Sequence, residues 1–212
     1  MIIAIDFSLN SPGITIKKET GYTFISFTNL NGKKLKKIPK SLEIHDELNS
    51  NSDFDWYRYD RIIESKEFIY REREKLIDTV NVAESILTEL EKYIDEDSVK
   101  IHLEGFSYGS KGKSFIDIIG YNYILRKMLM DRFGADNIFI FTPSQVKGLT
   151  GKGNANKFLM LDKFKENVLD DDHLTNTSFW QWLKDKSYDK KIPKPIDDII
   201  DSYFLSNCTN KK

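Results

Sequence analysis

Four acidic residues at the ends of apolar segments could together hydrolyse a phosphodiester. Asp6 closes the apolar run at residues 2–5, and Glu104 closes a second strand-like segment far along the chain. Asp198 and Asp201 lie three residues apart at the start of the last predicted helix. Two Mg²⁺ ions about 4 Å apart, held by carboxylate oxygens, would activate a water molecule and stabilise the leaving oxygen. The set therefore predicts a centre with two Mg²⁺ ions, and we expect Mn²⁺ to substitute for them.

The last predicted helix separates its apolar residues from two of its acids. At about 100° per residue, Asp198 and Asp201 lie about 60° apart, opposite an apolar arc. Ionised carboxylates on a partly buried face are costly unless they are paired or bound to metal, which favours metal ligation by both. Asp197 is explained instead by the helix dipole, which favours acids in the first turn. Taken singly, Asp6 could also cap a turn, and Glu104 could be a surface residue at a strand end.

Two glycine-rich stretches carry basic side chains. They are GSKGKS at residues 109–114 and GLTGKGNANK at residues 148–157. Amides and ammonium groups in such loops can bind phosphates, and a lysine beside a cleavage centre can stabilise charge that develops on the phosphate. Neither stretch matches a Walker A loop or a dinucleotide fingerprint. The lysines that we expect to contact phosphates are Lys111, Lys113, Lys147, Lys152 and Lys157.

Two aromatic residues follow Glu104 closely. Phe106 and Tyr108 could stack on unpaired bases, or they could pack beneath the loop that carries them. The surrounding residues 105–165 include ten basic and four acidic residues, in a chain whose net charge is −1. Such a basic region is typical of a nucleic-acid surface, although lysines on solvated helices would give the same count.

The elements that must position these residues alternate between strand and helix patterns. Apolar alternation and helical spacing predict the order β-β-β-α-β-α-β-α, an α/β fold with a mixed sheet and helices on both faces. His102 would point to the same face as Glu104, and we interpret it as a satisfied core histidine. The further predicted elements are a loop at 29–51, helical segments within 56–93, at 115–133 and at 156–168, and an aperiodic segment at 170–194 anchored by Trp180 and Trp182.

Length and composition are those of one soluble domain. With 212 residues, of which 40% are hydrophobic, the chain can bury a sizeable core. We predict a single domain over residues 1–212 with an insertion at about 29–97. The single cysteine, Cys208, suits a reducing compartment, and no apolar run approaches the ~20 residues that span a bilayer. We therefore expect a cytoplasmic protein with no membrane contact.

Four segments of the chain resemble the RuvC-type Holliday-junction resolvases of the RNase H-like superfamily, particularly their phage-encoded branch. The segments are IAIDFSLNSPG, HLEGFSYGSKGKSFIDIIG, TPSQVKGLTGKGNANK and DDIIDSYFL. They follow the family's order and comprise 55 of the 212 residues. The third is the most specific, because PSQVK followed by GKGNANK mirrors the family's lysine-bearing strand end and loop.

The resemblance implies an RNase H-like fold and an endonuclease that resolves four-way DNA junctions by paired nicking, leaving 5′-phosphate and 3′-hydroxyl ends. It implies metal ligation by the four acids named first, and contact with the scissile phosphate by Lys147 and Lys157. The aromatic residue that opens the junction falls on Phe106, with Tyr108 as the alternative. The phage branch would place the protein in the cytoplasm of an infected bacterial host.

We also expect a homodimer, because a four-way junction has near two-fold symmetry and resolution needs two nicks. The apolar helix at residues 115–133 is the expected interface. In the alternative interpretation, the insertion at 29–97 buries that helix inside the monomer.

The chain departs from the family in three places, and other functions remain open. Asp6 is followed by Phe7 and Ser8 rather than by Pro-Gly, and the regions 29–97 and 170–194 are longer than the family core. One alternative is a broader branched-DNA or flap nuclease. Another is a catalytically silent nucleic-acid-binding protein of the same fold. A third, an actin-like kinase or ATPase, would need a second phosphate loop.

Overall fold

A computed structural model describes residues 1–29, 39–49, 53–59, 61, 63–95, 98–106 and 112–209. It contains one six-stranded sheet in the order β4-β3-β2-β1-β5-β6. The strands are β1 (Ile2–Asp6), β2 (Gly13–Lys18), β3 (Gly21–Asn29), β4 (Phe54–Tyr59), β5 (Lys100–Glu104) and β6 (Ile138–Phe141).

The sheet is mixed. β1, β2 and β3 form an antiparallel meander, whereas β5 runs parallel to β1, β6 parallel to β5, and β4 parallel to β3. The helices are α1 (Pro39–Leu48), α2 (Phe68–Glu91), α3 (Lys113–Phe133), α4 (Pro143–Gly148), α5 (Lys157–Leu169), α6 (Asp172–Thr175), α7 (Ser178–Leu183) and α8 (Ile196–Ser206), with a 3₁₀ turn at Ala135–Asn137.

Alternation along the central strand divides the interior into two cores. Ile3 and Ile5 of β1 pack into one core with α2 and α3, whereas Ala4 packs into the other with α8 and α5. Successive side chains of a strand point to opposite faces, so a fully buried strand such as β1 needs a helical layer on each side. The predicted fold class, α/β with a mixed sheet and helices on both faces, is confirmed.

Two segments differ from the prediction. The predicted loop at 29–51 includes α1, whose Ile44 and Leu48 are buried, and residues 30–38 lie outside the described part. The first helical piece predicted from Trp56 is wrong, because residues 54–59 form β4 and the helix begins only at Phe68. Pairing with β3 decides this conformation, since an edge strand gains its hydrogen bonds from a distant partner.

The aperiodic segment at 170–194 is anchored differently from the prediction. It contains the short helices α6 and α7, and its most buried aromatic residue is Phe179, whereas Trp180 and Trp182 are only partly buried. The ring of Phe179 lies 5.0 Å from that of Phe24 and 6.3 Å from that of Phe54.

The two long regions of the chain pack against each other. Asp53 accepts hydrogen bonds from the backbone nitrogen and hydroxyl of Ser178 at the start of α7, and Trp182 donates to Glu47 of α1. Ile44 and Phe54 share a core with Leu183. Helix α1 and the segment 170–194 therefore fold as one layer over the α8 side of the sheet, next to β3 and β4, whereas α2 packs with α3 on the other side.

Helix α3 is partly covered by α2, which belongs to the region 29–97. Leu125 and Leu129 of α3 are buried, and Lys75 of α2 pairs with Asp117 of α3 at 2.8 Å. The interpretation in which this region buries α3 is therefore correct for one side of the helix, while Ile116 remains 70% exposed.

Among the described residues, no helix has the length and apolar character that a bilayer crossing requires.

Candidate active site

Strands β1 and β5 bring the first two acids together. Ile5 pairs with Leu103 in the parallel register, so Asp6 and Glu104 follow at the carboxyl ends of adjacent strands. Asp6 points to the same face of the sheet as Ala4, and Glu104 points to the same face as His102. Ala4 and His102 both lie on the face that α8 covers. Both carboxylates therefore lie on the α8 side of the sheet.

His102 is a core residue rather than part of the centre. Its side chain is buried, and its Nδ1 lies 3.0 Å from the carbonyl oxygen of Leu205 in α8. Burial lowers the pKa of the imidazole, which keeps it neutral. The interpretation of His102 as a satisfied core histidine is confirmed.

Gly13 allows α8 to approach the sheet closely. In the antiparallel register Gly13 lies opposite Asp6, and a Cβ built on it would lie 2.6 Å from the carbonyl carbon and oxygen of Asp198. Real Cβ atoms do not approach backbone atoms so closely, so only glycine fits this position. The missing side chain brings the start of α8 against the end of β1, where Asp6 is located.

The carboxylates of α8 are held by protein donors. Asp198, only 2% exposed, accepts hydrogen bonds from the Ser11 hydroxyl and the Lys194 ammonium group. Asp197 lies 3.2 Å from the same ammonium group. Asp201 pairs with Lys157, the first residue of α5, which Asn156 caps by accepting a hydrogen bond from the backbone of Leu159.

Burial and crowding raise the pKa values of these acids. The pKa of Asp6 is raised to about 6 by burial and by the charge of Glu104, against the lowering effects of Lys157 and Lys194. Burial raises the pKa of Asp198 to about 7 even though Lys194 opposes the shift, and Asp197 and Asp6 add to it. Burial likewise raises the pKa of Glu104, although Lys157 and Lys147 lower it. The acids therefore form one electrostatic cluster that is short of positive charge.

Asp197 belongs to this cluster by position. The sequence argument assigned it to the helix dipole, yet its side chain is buried and its charge acts on both Asp6 and Asp198. Among the described residues, five carboxylates, counting Asp197, face three lysines at positions 147, 157 and 194, a formal excess of two negative charges.

The donor set fits hard divalent cations. All of the clustered acids offer carboxylate oxygens, the ligands that Mg²⁺ and Mn²⁺ favour. Within the described residues, Oδ1 of Asp197 and Oδ1 of Asp201 are buried without a hydrogen-bond partner. No three His, Cys, Asp or Glu side chains of the described part converge on one point as they stand. Asp201 and Asp198 instead pair with Lys157 and Lys194.

A cleft of about 260 Å³ opens beside Asp6 and Glu104. Lys147, in the last turn of α4, lines it, and α4 is fixed by a capping box between Thr142 and Gln145. The opposite wall is aromatic and apolar. It consists of Phe7, Phe106, Phe115 and Ile118.

Phe106 is fixed at the cleft by an arginine. The guanidinium carbon of Arg126 lies 4.7 Å from the centre of the Phe106 ring, and its Nη2 donates to the Glu104 carbonyl oxygen at 2.8 Å. Rings of Phe115 and Tyr123 lie 6.1 and 5.7 Å from that of Phe106. One face of α3 thus supports the loop that follows Glu104.

The other predicted contact residues are less central. Lys152 is exposed and does not line the cleft. Tyr108 and Lys111 lie outside the described residues, as does the side chain of Lys113. Their contacts with a nucleic acid remain predictions.

Sequence reasoning missed several residues that shape the site. They are Ser11, Gly13, Asn122, Arg126 and Lys194. Lys194 could have been noticed, because it precedes Asp198 by four residues, a spacing at which opposite charges meet on a helix. Gly13 carried no such signal, because its role depends on the approach of α8.

The chain is similar in structure to RuvC of Thermus thermophilus, with 11% sequence identity over 97% of this chain and 90% of that chain, and a TM-score of 0.46. It is also similar to T. thermophilus RuvC in complex with a Holliday junction substrate, with 13% identity over 96% and 90% of the two chains and a TM-score of 0.35. No protein-family model and no curated protein sequence matches the chain. Identities this low transfer neither residue roles nor an activity to it.

Proposed function

We propose that the protein is a Mg²⁺-dependent, structure-selective DNA endonuclease that resolves four-way junctions by paired nicking. The observation that carries this proposal is the cluster of acids from β1, β5 and α8, of which Asp6 and Glu104 line a cleft together with Lys147 and aromatic side chains. A site for phosphodiester hydrolysis needs anionic ligands, cations for the phosphate and a surface for bases, and this cleft supplies all three.

Asp6, Glu104, Asp198 and Asp201 would hold the two metal ions. Bound there, the ions would activate water and stabilise the leaving oxygen. The uncompensated negative charge of the cluster and the unpartnered oxygen of Asp201 support this assignment. Burial strengthens the effect, since charges interact more strongly where water is excluded.

Lys147 and Lys157 would act on the phosphate. Lys147 lines the cleft beside Glu104, and the charge of Lys157 reaches both Asp6 and Glu104. A lysine in this position holds the phosphate and stabilises the negative charge that grows on it in the transition state. The exposed Lys152 would contribute only electrostatic attraction to the DNA backbone.

Phe106 would select DNA in which bases are unpaired. It lines the cleft, and the Arg126 guanidinium group supports its ring from one side. An aromatic ring held at a cleavage centre can stack on a base that has left the duplex, as happens at a branch point. This provides a physical reason for a preference for branched over continuous duplex DNA.

We further propose that the protein acts as a homodimer. Exposed apolar side chains in the first half of α2 and near the start of α3 support this proposal, because exposed apolar surface on soluble proteins can mark an interaction site. Sedimentation at micromolar concentration, with and without a junction, tests it: a monomer in both conditions would exclude the arrangement. The exposed residues are Phe68, Ile69, Leu76, Ile77 and Ile116.

A substrate and metal panel tests the activity. Labelled four-way junction, flap, duplex and single-stranded DNA are incubated with the protein in Mg²⁺, Mn²⁺, Ca²⁺ or EDTA. We expect paired nicks in the junction with Mg²⁺ and Mn²⁺, and none with EDTA, while Asp6→Asn controls for contaminating nuclease. Faster cleavage of flaps would indicate a debranching nuclease instead. Binding without cleavage in every metal would indicate a catalytically silent DNA-binding protein.

A further inference from the structure

Lys194 occupies an unusual position at the junction of two parts of the chain. It ends the region 170–194 and immediately precedes Pro195 and α8. Ile192 and Pro195 on either side of it are buried, so the backbone is fixed while the lysine side chain remains 38% exposed. Its ammonium group nevertheless turns inward and contacts Asp198, with Asp197 at 3.2 Å.

Both oxygens of Asp198 already have a protein donor. Oδ1 accepts from Lys194, and Oδ2 accepts from the Ser11 hydroxyl. A hydroxyl can remain hydrogen-bonded to an oxygen that also binds a metal, because it carries no net charge. An ammonium group cannot remain at that distance, because it would repel a divalent cation strongly in a buried site.

We propose that Lys194 is a built-in competing cation, which holds Asp197 and Asp198 in the metal-free protein and must move outward when a divalent cation binds. This inference rests on the proposed function, because it takes these acids as part of the metal site. The exposed, flexible side chain of Lys194 can leave without unfolding α8. The buried Oδ1 of Asp197, unpartnered among the described residues, is a further ligand that becomes useful once the ammonium group has left.

Substitution of Lys194 by an uncharged residue tests this competition. Lys194→Met keeps the apolar stem and removes the charge, and Lys194→Gln keeps a hydrogen-bond donor in case the first variant does not fold. Lys191→Met, at an exposed lysine three residues earlier, is the matched control. The measurements are Mn²⁺ binding by titration calorimetry and thermal unfolding in EDTA, neither of which depends on cleavage.

We expect both Lys194 variants to bind Mn²⁺ at least about tenfold more tightly than the wild type, because a repulsive charge has been removed. We expect them to unfold at a lower temperature in EDTA, because the crowded acids have lost a partner. Lys191→Met should match the wild type in both measurements.

Two results would overturn the inference, and they can be distinguished. If the wild type binds Mn²⁺ and the folded Lys194 variants bind it equally or more weakly, Lys194 does not compete with the metal. If neither the wild type nor the variants bind Mn²⁺, the acids hold no metal and the proposed function itself fails.

Discussion

Two buried carboxylates on opposite faces of the sheet show how differently a protein can treat the same chemical group. Asp78, between α2 and α3, is 4% exposed. It accepts from Arg61 at 2.8 Å and from the Tyr121 hydroxyl, and Arg61 also donates to that hydroxyl at 2.8 Å. Asp198, on the other face, is equally buried, but it shares its single ammonium group with Asp197 and lies near Asp6.

The difference is one of charge balance. Around Asp78, one carboxylate meets one guanidinium group, and the three polar side chains satisfy one another. Around Asp198, acids outnumber lysines, so each carboxylate lacks part of the charge that its burial requires. The first arrangement needs nothing from outside and stabilises the fold. The second leaves buried negative charge without a partner, which is the property that the proposed metal site requires.

The largest effect should come from removing a carboxylate at the centre of the cluster. We expect Asp6→Asn to lower the cleavage rate more than about a hundredfold, because an amide loses the negative charge that would hold the metal. Junction binding should stay within a few-fold of the wild type. The thermal stability in EDTA should stay the same or rise, because a crowded charge has gone.

Gel-shift titration in Ca²⁺, single-turnover cleavage in Mg²⁺ and calorimetry in EDTA provide the three measurements. Cleavage at the wild-type rate in saturating Mg²⁺ would show that Asp6 holds no catalytic metal. A marked loss of stability in EDTA would show that Asp6 is a structural residue like Asp78.

Substitution of Asp78, the buried carboxylate on the other face of the sheet, should affect stability and not cleavage. We expect Asp78→Asn to lower the free energy of unfolding by about 3 kcal/mol, because Arg61 is left without a counter-charge in a buried position. The cleavage rate per folded molecule should be unchanged. Urea unfolding and cleavage measured well below the transition separate the two quantities. Reduced cleavage in a fully folded variant would mean that the two faces of the sheet are coupled.

A smaller change at Gly13 should affect the cluster through distance alone. We expect Gly13→Ala to destabilise the protein by about 1–3 kcal/mol and to reduce cleavage, because the new methyl group would push Asp198 away from Asp6. Urea unfolding and cleavage assays report both effects.

Gly120→Ala in α3 is the matched control for this substitution. No atom of the described neighbours lies within 4 Å of the added methyl group. Alanine is favoured over glycine in a helix by about 0.5–1 kcal/mol, so this variant should be slightly more stable. Equal behaviour of the two alanine variants would contradict the close approach of α8.

The smallest effect should appear in the pH dependence of stability. The pKa values of Asp6 and Asp198, about 6 and about 7, are raised above those of an unfolded aspartate. Between pH 4 and 7 the folded state therefore binds more protons than the unfolded state, so these two groups make stability fall as pH rises. In EDTA, we expect Asp6→Asn to lose less stability over this range than the wild type.

The comparison with Asp6→Asn is needed because other groups titrate in the same range. The lowered pKa of His102 acts in the opposite direction, since the unfolded imidazole binds protons more readily than the folded one. That contribution is common to both proteins and cancels in the difference. If the wild type gains stability relative to Asp6→Asn as the pH rises, that result would contradict the crowding of negative charge around Asp6.

Predictions from the sequence were most accurate for residues whose position depends only on the pattern of their own segment. The apolar run before Asp6 and the alternation before Glu104 are local patterns, and they placed both acids at the ends of strands. The two-sided character of the last helix likewise indicated that Asp198 and Asp201 are not simply solvated. These features depend on periodicity, which a single sequence records directly.

The features that were missed depend on contacts between distant segments. β4 exists because it pairs with β3, and α1 is held by the core that α7 completes. The inward turn of Lys194 likewise requires the fixed end of the region 170–194. No local pattern encodes such contacts, so the layer formed by α1 and the segment 170–194 could not be predicted.

The residues of the acid cluster are far apart in the sequence. This separation determines when the cluster can assemble. Ser11 and Asp198, which are hydrogen-bonded, are 187 residues apart. During synthesis β1 and β2 emerge early, whereas α8 leaves the ribosome only after nearly all of the preceding chain. A nascent chain therefore has no assembled centre, and neither does any product of premature termination before α8. The order of translation thus delays assembly of the acid cluster until α8 has been made.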